Sequence, residues 1–202
     1  NIKKAVYYLV SCNFAELITV LVGMFAFAAS PVSAVQLLWI NMLTDSAPAV
    51  ALSMESAEET VMKRKPDSAI GKIFGVTVLL NISLQSIFIA AVSLIAFAIG
   101  RKSGTAVGMS MTFGVLAMSQ IFHCYNNKLF GSVINKHIFS NRFMNYSAVL
   151  AVFITVFLLF TPAGHVFGMA VLNFKQFIIS LLLSLLIVPF TELLKLVKRI
   201  KG

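Results

Sequence analysis

Five oxygen-bearing side chains lie at helical spacing within two otherwise apolar stretches of the sequence. Asn41, Thr44 and Asp45 occupy positions i, i+3 and i+4 of the stretch LLWINMLTD, so a helix would present them on one face. Asn13 and Glu16 repeat the spacing of i and i+3 in the apolar stretch before it. An acidic group in hydrocarbon is costly unless something pairs with it, so Glu16 and Asp45 indicate an ion or proton site.

The donor set of these two faces favours a hard cation. Ca²⁺ takes six to eight oxygen ligands from carboxylates, amides, hydroxyls and carbonyls. The two faces carry no imidazole, and no thiolate is expected there, which argues against zinc or copper. Two carboxylates would neutralise a divalent ion and could take up protons when it leaves. Two alternatives stay open from the residues alone: polar groups that merely tie two helices together, and a proton relay through the same carboxylates.

The composition indicates an integral membrane protein. Of the 202 residues 59% are hydrophobic and only 11% are charged, whereas soluble domains carry about a quarter charged residues. A membrane helix needs about 20 apolar residues, and six stretches qualify. We therefore predict an all-α, polytopic membrane helix bundle. The predicted spans are residues 4–29, 34–53, 73–99, 106–126, 143–160 and 175–196.

The net charge of +9 reflects topology in our interpretation and does not indicate nucleic-acid binding. With a cytoplasmic N-terminus, thirteen of the sixteen basic residues fall on the cytoplasmic side. This asymmetry is the positive-inside pattern, and it predicts that both termini face the cytoplasm. The thirteen are Lys3, Lys4, Lys63, Arg64, Lys65, Lys72, Lys128, Lys136, Arg142, Lys195, Lys198, Arg199 and Lys201; the other three are Arg101, Lys102 and Lys175.

The second predicted span contains a proline in mid-membrane. Pro48 cannot donate to the carbonyl of Thr44, so we expect the helix to be unwound near Asp45 and Pro48, with that carbonyl freed beside the Asp45 carboxylate. Broken helix at membrane depth is tolerated where it lines protein or a cavity. The charged loop that follows, residues 54–72, is either a solvated connector or a docking surface for a cytoplasmic partner domain.

The other polar residues of the spans are assigned to packing. Asn81, Gln85 and His123 are expected to make interhelical hydrogen bonds. Glu192 precedes Lys195 by three positions on a helix and is expected to pair with it. We therefore treat the last two spans as scaffolding.

No motif for nucleotide binding or hydrolysis occurs in these 202 residues. Cys12 and Cys124 fall in different spans and are interpreted as small buried hydrophobes, not as a disulfide or a metal pair. The sequence begins at Asn1 and runs straight into a span, so we expect it to be part of a longer protein.

The stretches YYLVSCNFAEL and PVSAVQLLWINMLTDSAPAVALSMESAEETVMKRKP resemble the fifth and sixth membrane helices, and the following loop, of P-type cation ATPases of the calcium-pump group. The resemblance is specific over residues 1–70, and the six-span layout extends it to the whole chain. It implies that residues 1–202 form the C-terminal transmembrane domain, corresponding to the fifth to tenth membrane helices of that family.

The resemblance also implies a set of cation ligands. In SQIFHCYNN, which resembles the eighth helix, Gln120 falls on a further ligand position. Glutamine there resembles the plasma-membrane type of pump, whereas Glu16 and Thr44 resemble the reticulum type; this mixture favours one ion per cycle. The implied ligands are Asn13, Glu16, Asn41, Thr44, Asp45 and Gln120.

By the same resemblance the function is ATP-driven export of Ca²⁺ with proton counter-transport. ATP and Mg²⁺ would bind to cytoplasmic domains that are not in this chain, where the phosphorylated aspartate of the family's DKTGT motif lies. The implied partners are the lipid bilayer and the rest of the same ATPase, namely its first four membrane helices and its cytoplasmic domains docking at loop 54–72. The expected location is a bacterial plasma membrane. The competing hypothesis is a self-contained proton-coupled cation carrier that uses Glu16 and Asp45.

Overall fold

The computed structural model describes residues 2–54, 75–128 and 139–201, and within these ranges every regular element is a helix. The prediction of an all-α bundle is therefore confirmed. A π-helical turn, Asn41–Asp45, and a 3₁₀ helix, Pro162–Phe167, complete the elements. The α-helices are α1 Ile2–Phe27, α2 Ala34–Ile40, α3 Ser46–Ser53, α4 Val76–Arg101, α5 Thr105–Lys128, α6 Arg142–Phe160, α7 Phe174–Leu185 and α8 Ile187–Lys201.

Five helical segments among the described residues are long and apolar enough to cross a membrane. They agree with five of the six predicted spans. The remaining predicted span, residues 34–53, is the second in the chain and is continuous helix. The π-helical turn divides it into α2 and α3, each too short to span alone. The five segments are Ile2–Phe27, Val78–Arg101, Thr105–Asn127, Arg142–Phe160 and Phe174–Val197.

The last span is interrupted where α7 meets α8. Proline has no N–H and its ring clashes with the carbonyl four residues back, which for Pro189 is Leu185. α7 ends at that residue and α8 begins at Ile187. The predicted span of residues 175–196 is therefore two consecutive helices.

Helix α5 lies at the centre of the bundle. Met111, Phe113 and Leu116 belong to a buried apolar core that includes Ile89 of α4 and Ile187 of α8. The opposite surfaces of the outer helices expose large apolar side chains, as expected where helices face lipid. A side chain that α5 directs toward α1 is consequently shielded on all sides.

α1 begins and α8 ends at the same end of the bundle, which we call the terminal end. The described helix ends that flank residues 55–74 and 129–138 lie there too. Asn141, before α6, donates to the carbonyl of Ala51 in α3 at 2.9 Å. Lys195 of α8 donates to the carbonyl of Asn126 near the end of α5 at 3.1 Å. The predicted docking loop, residues 54–72, lies outside the described residues except for Met54.

Candidate cation site

The polar face of α1 meets the π-helical turn in the middle of the bundle. Glu16 is buried in α1, and its Oε2 accepts a hydrogen bond of 2.8 Å from Nδ2 of Asn41. The same amide nitrogen also donates to the carbonyl of Leu37, one turn back, at 2.9 Å. The polar faces of the first two spans thus meet at this pair.

Gln120 joins the two helices from α5. Its Nε2 donates to Oε1 of Glu16 at 2.7 Å, and its Oε1 accepts from the hydroxyl of Thr44 at 2.8 Å. Gln120 has no exposed surface. Both oxygens of Glu16 therefore accept amide hydrogen bonds, one from the π-helical turn and one from α5.

The π-helical turn aims Thr44 and Asp45 inward. The N–H of Ser46 bonds the carbonyl of Asn41, five residues back, which is the spacing of a π-helix. Single π turns of this kind are often found at functional sites, because the extra residue displaces the side chains from their regular helical positions. Thr44 and Asp45 are both almost completely buried as a result.

The distortion lies one turn earlier than the sequence predicted. We expected unwinding near Asp45 and Pro48, but α3 runs as regular helix from Ser46 through Pro48 to Ser53. Proline is tolerated in the first turn of a helix, where its missing N–H would have no partner within that helix. Pro48 is the third residue of α3, so the irregular backbone precedes it.

Asp45 retains one free carboxylate oxygen. Its Oδ1 lies 3.3 Å from the hydroxyl of Tyr8, while its Oδ2 has no hydrogen-bond partner among the described residues and no contact with solvent. The Tyr8 hydroxyl is closer to the carbonyl of Thr44, at 2.8 Å. The carbonyl that Pro48 was predicted to free is thus bound by Tyr8.

Asn13 is the one proposed ligand that the structure does not bring into this cluster. Its side chain is exposed, and its Nδ2 donates to the carbonyl of Leu9 in its own helix at 2.8 Å. Asn13 lies about 60° around α1 from Glu16 at 100° per residue. The face that Asn13 and Glu16 were predicted to share is therefore wide enough for Glu16 to be buried while Asn13 is exposed.

The cluster contains two buried acids without a basic partner. Across residues 2–54, 75–128 and 139–201, neither Glu16 nor Asp45 forms an ion pair. The same residues contain no group of three His, Cys, Asp or Glu side chains suited to a metal, so a site here must include amide and hydroxyl oxygens. Burying uncompensated carboxylates is costly, and a bound cation or protons would remove that cost.

A second hydrogen-bonded group lies beside the cluster. His123 Nε2 is 2.8 Å from the Ser11 hydroxyl and 2.9 Å from the amide nitrogen of Asn127. Ser11 also donates to the carbonyl of Tyr8. These contacts connect α1 to α5, consistent with the packing role expected of His123.

The expected ion pair of Glu192 with Lys195 on α8 is confirmed, with 3.0 Å between the carboxylate oxygen and the ammonium nitrogen.

Sequence reasoning missed Tyr8 as part of the cluster. The only available signal was its position eight residues before Glu16, with Cys12 between them, which puts all three near one face of α1. Both cysteines are buried, as predicted. Cys124 lies 3.9 Å from the carbonyl of Pro48 and 3.7 Å from the sulfur of Met144.

Comparison with known proteins gives a consistent family match. A family described as "Cation transporting ATPase, C-terminus" matches residues 29–197. The chain is 30% identical to calcium-transporting ATPase 1 of Bacillus cereus, over 98% of this chain and 24% of that protein. It is 30% identical to a calcium-transporting ATPase of Listeria monocytogenes over 98% of this chain and 23% of that protein. With the calcium-transporting ATPase of Bacillus subtilis it shares 26% identity over 80% of this chain. The chain spans about a quarter of the length of the first relative.

Proposed function

Because the chain belongs to the cation-transporting ATPase family, as its C-terminal membrane region, we propose that it holds the ion-binding site of an ATP-driven pump that exports Ca²⁺. The chain is accordingly a multi-pass membrane protein. Its relatives are named as calcium-transporting ATPases. The activity, the ion and the remaining domains of the complete protein are parts of the proposal.

One observation carries the choice of site. Glu16 and Asp45 are 5% and 1% exposed, and they belong to one cluster of hydrogen-bonded side chains drawn from α1, the π-helical turn and α5. Two carboxylates match the charge of one divalent cation. Amide and hydroxyl oxygens of Asn41, Thr44 and Gln120 supply the neutral ligands that Ca²⁺ accepts.

The amides of Asn41 and Gln120 hold Glu16 from two sides. Asn41 and Gln120 both turn their N–H groups toward Glu16. A cation between the helices would repel these donors and attract the amide oxygens instead. Binding would therefore rotate both amides, so that the side chains that now hold Glu16 become ligands together with it.

Proton counter-transport would use the same acids. When the cation leaves, two buried carboxylates without a basic partner would favour protonation over negative charge. Protons taken up in this state would move in the direction opposite to the cation when the next ion binds. This exchange lets the site change its occupant without leaving two uncompensated charges in the membrane.

Coupling to ATP would depend on parts of the protein outside this chain. ATP and Mg²⁺ would bind in cytoplasmic domains, and loop 54–72 would be one of the surfaces on which these domains dock. Ion binding at Glu16 and Asp45 would favour phosphorylation, and by linkage phosphorylation would change the affinity of the site. The side of the membrane that holds both termini carries an excess of basic residues, which supports a cytoplasmic orientation of both termini in the cell membrane.

The exposed face around Asn13 is where the other membrane helices of the same protein would pack. Asn13 and Ser46 are exposed beside Phe14 and Met42, which are 49% and 56% exposed. Amide and hydroxyl groups are disfavoured in lipid, so this surface suits contact with protein. Packing there would bring Asn13 into a site that α1, the π-helical turn and α5 form only in part.

Photo-cross-linking tests that contact. A photoreactive amino acid at Asn13 in the full-length protein should cross-link to another segment of the same polypeptide. The same residue at Tyr146, which is 73% exposed on α6, should cross-link to lipid. Lipid adducts alone at position 13 would contradict this packing.

ATPase activity of the full-length protein tests the function itself. In detergent, micromolar Ca²⁺ should switch activity on and EGTA should switch it off. Activity that ignores Ca²⁺ but follows a monovalent ion would overturn the choice of ion, and cation transport without any ATP hydrolysis would favour the carrier hypothesis. Counting ⁴⁵Ca²⁺ against ATP hydrolysed should give a ratio near one.

A further inference from the structure

A long apolar groove lies away from the candidate cation site, between α5, α6 and α8. Its volume is about 610 Å³. Apolar side chains form nearly all of its walls, and it contains no charged side chain among the described residues that line it. Its principal lining residues are Phe122, Tyr125, Val152, Phe153, Val156 and Val188.

The groove opens toward lipid. The part of α6 that lines it runs from Ala148 to Val156, about 12 Å at 1.5 Å per residue. Val149 and Phe153, which form its rim, are 68% and 66% exposed in the middle of a membrane-spanning helix. Exposed apolar side chains at this depth suit contact with hydrocarbon, and the lining requires an occupant that is apolar along this length.

Polar groups are confined to the terminal end of the groove. Tyr125 donates from its hydroxyl to Oδ1 of Asn145 at 3.0 Å. Asn126, which also lines the groove, is 1% exposed, and its Oδ1 accepts no hydrogen bond from the described residues. A buried acceptor without a partner needs a donor, which a hydroxyl of a lipid headgroup or a water could supply and a phosphate could not.

Positive charge lies at the same end. Phe139 lines the groove, and Arg142 follows three residues later as the first residue of α6, with its side chain exposed. The start of a helix also carries a partial positive charge and N–H groups that favour anions. The groove thus combines an apolar length with one polar, cationic end.

We propose that this groove binds one acyl chain of an anionic phospholipid whose phosphate lies near Arg142 and the first turn of α6. The match is between an amphiphile with one anionic end and a groove with one cationic end. The site is independent of the ion-binding proposal.

Native mass spectrometry of the full-length protein tests the site. The probes are phosphatidylglycerol and phosphatidylcholine with identical palmitoyl and oleoyl chains. We expect one retained phosphatidylglycerol per protein, and about fivefold weaker retention of phosphatidylcholine, from one cationic contact near the membrane surface. Arg142→Gln should remove this preference.

Filling the groove should displace the lipid. Val152→Trp places an indole where the acyl chain would lie, whereas Leu150→Trp, on the exposed face of the same helix outside the groove, should retain it. If Val152→Trp does not fold, Val156→Phe fills the same groove with a smaller change. Unchanged retention in a folded groove-filling variant would overturn the proposal. Equal retention of both lipids by the unmodified protein, or a second polypeptide bound in place of lipid, would overturn it too.

Discussion

The Tyr8 hydroxyl donates a 2.8 Å hydrogen bond to the carbonyl oxygen of Thr44. Pro48, four residues after Thr44, has no N–H to give to that carbonyl. Tyr8 has no exposed surface, so neither water nor lipid can replace its hydroxyl. A side chain of α1 thus satisfies a backbone group of the second span, at the point where Asp45 enters the cluster.

Tyr8→Phe should weaken cation binding while preserving the packing of the ring. The change leaves the Thr44 carbonyl unsatisfied and removes the contact with Asp45, at a cost of about 1–3 kcal/mol. We expect the Ca²⁺ concentration that half-activates the full-length ATPase to rise about 5- to 150-fold. Tyr146→Phe, on an exposed face of α6, is the matched control. An unchanged half-activating concentration would show that Tyr8 does not position the site.

Glu16→Gln and Asp45→Asn should each abolish cation-dependent phosphorylation by ATP. Both substitutions keep the shape of the side chain and remove the charge that a divalent ion requires. Glu192→Gln is the control, because Glu192 pairs with Lys195 at the terminal end of α8. Phosphorylation measured with radiolabelled ATP and Ca²⁺ should persist in this variant. Normal phosphorylation in both site variants would remove the basis for assigning the site.

Gln120→Leu should reduce both stability and Ca²⁺ affinity. It removes the donor to Glu16 and the acceptor for Thr44, and leaves buried polar atoms without that partner. Ser119→Ala is a stringent control, since Ser119 is equally buried but its hydroxyl has no hydrogen-bond partner among the described residues. Melting temperature and Ca²⁺ titration should separate the two variants. Equal changes in melting temperature and Ca²⁺ affinity in the two variants would indicate that α5 responds in the same way to any substitution.

Gly100→Ala should destabilise the contact between α4 and α5. A Cβ at this position would lie 2.7 Å from the Cα of Gly108, so a backbone would have to move. Overpacking of this kind costs about 1–3 kcal/mol. Gly75→Ala adds a methyl group with no atom of the described residues within 4 Å and should lower the melting temperature in detergent much less. Equal melting temperatures of the Gly100→Ala and Gly75→Ala variants would mean that α4 and α5 can move apart at little cost.

The sequence was informative where a single residue type is decisive. Acids without basic partners in apolar stretches identified Glu16 and Asp45, and their burial is observed. Two polar faces on consecutive spans could be expected to meet, but only the structure shows that Glu16 accepts from Asn41. Gln120 was different, because the residues alone gave it no role and only the family resemblance singled it out.

The sequence by itself determined five of the membrane segments and the two acids, because hydrophobic length and the cost of buried charge are local properties. The tertiary structure decided that Tyr8 enters the cluster, that Asn13 does not, and that the π-helical turn precedes Pro48. These outcomes depend on the rotation of each helix about its axis. That rotation is set by the packing of several neighbouring helices at once, which no local pattern contains.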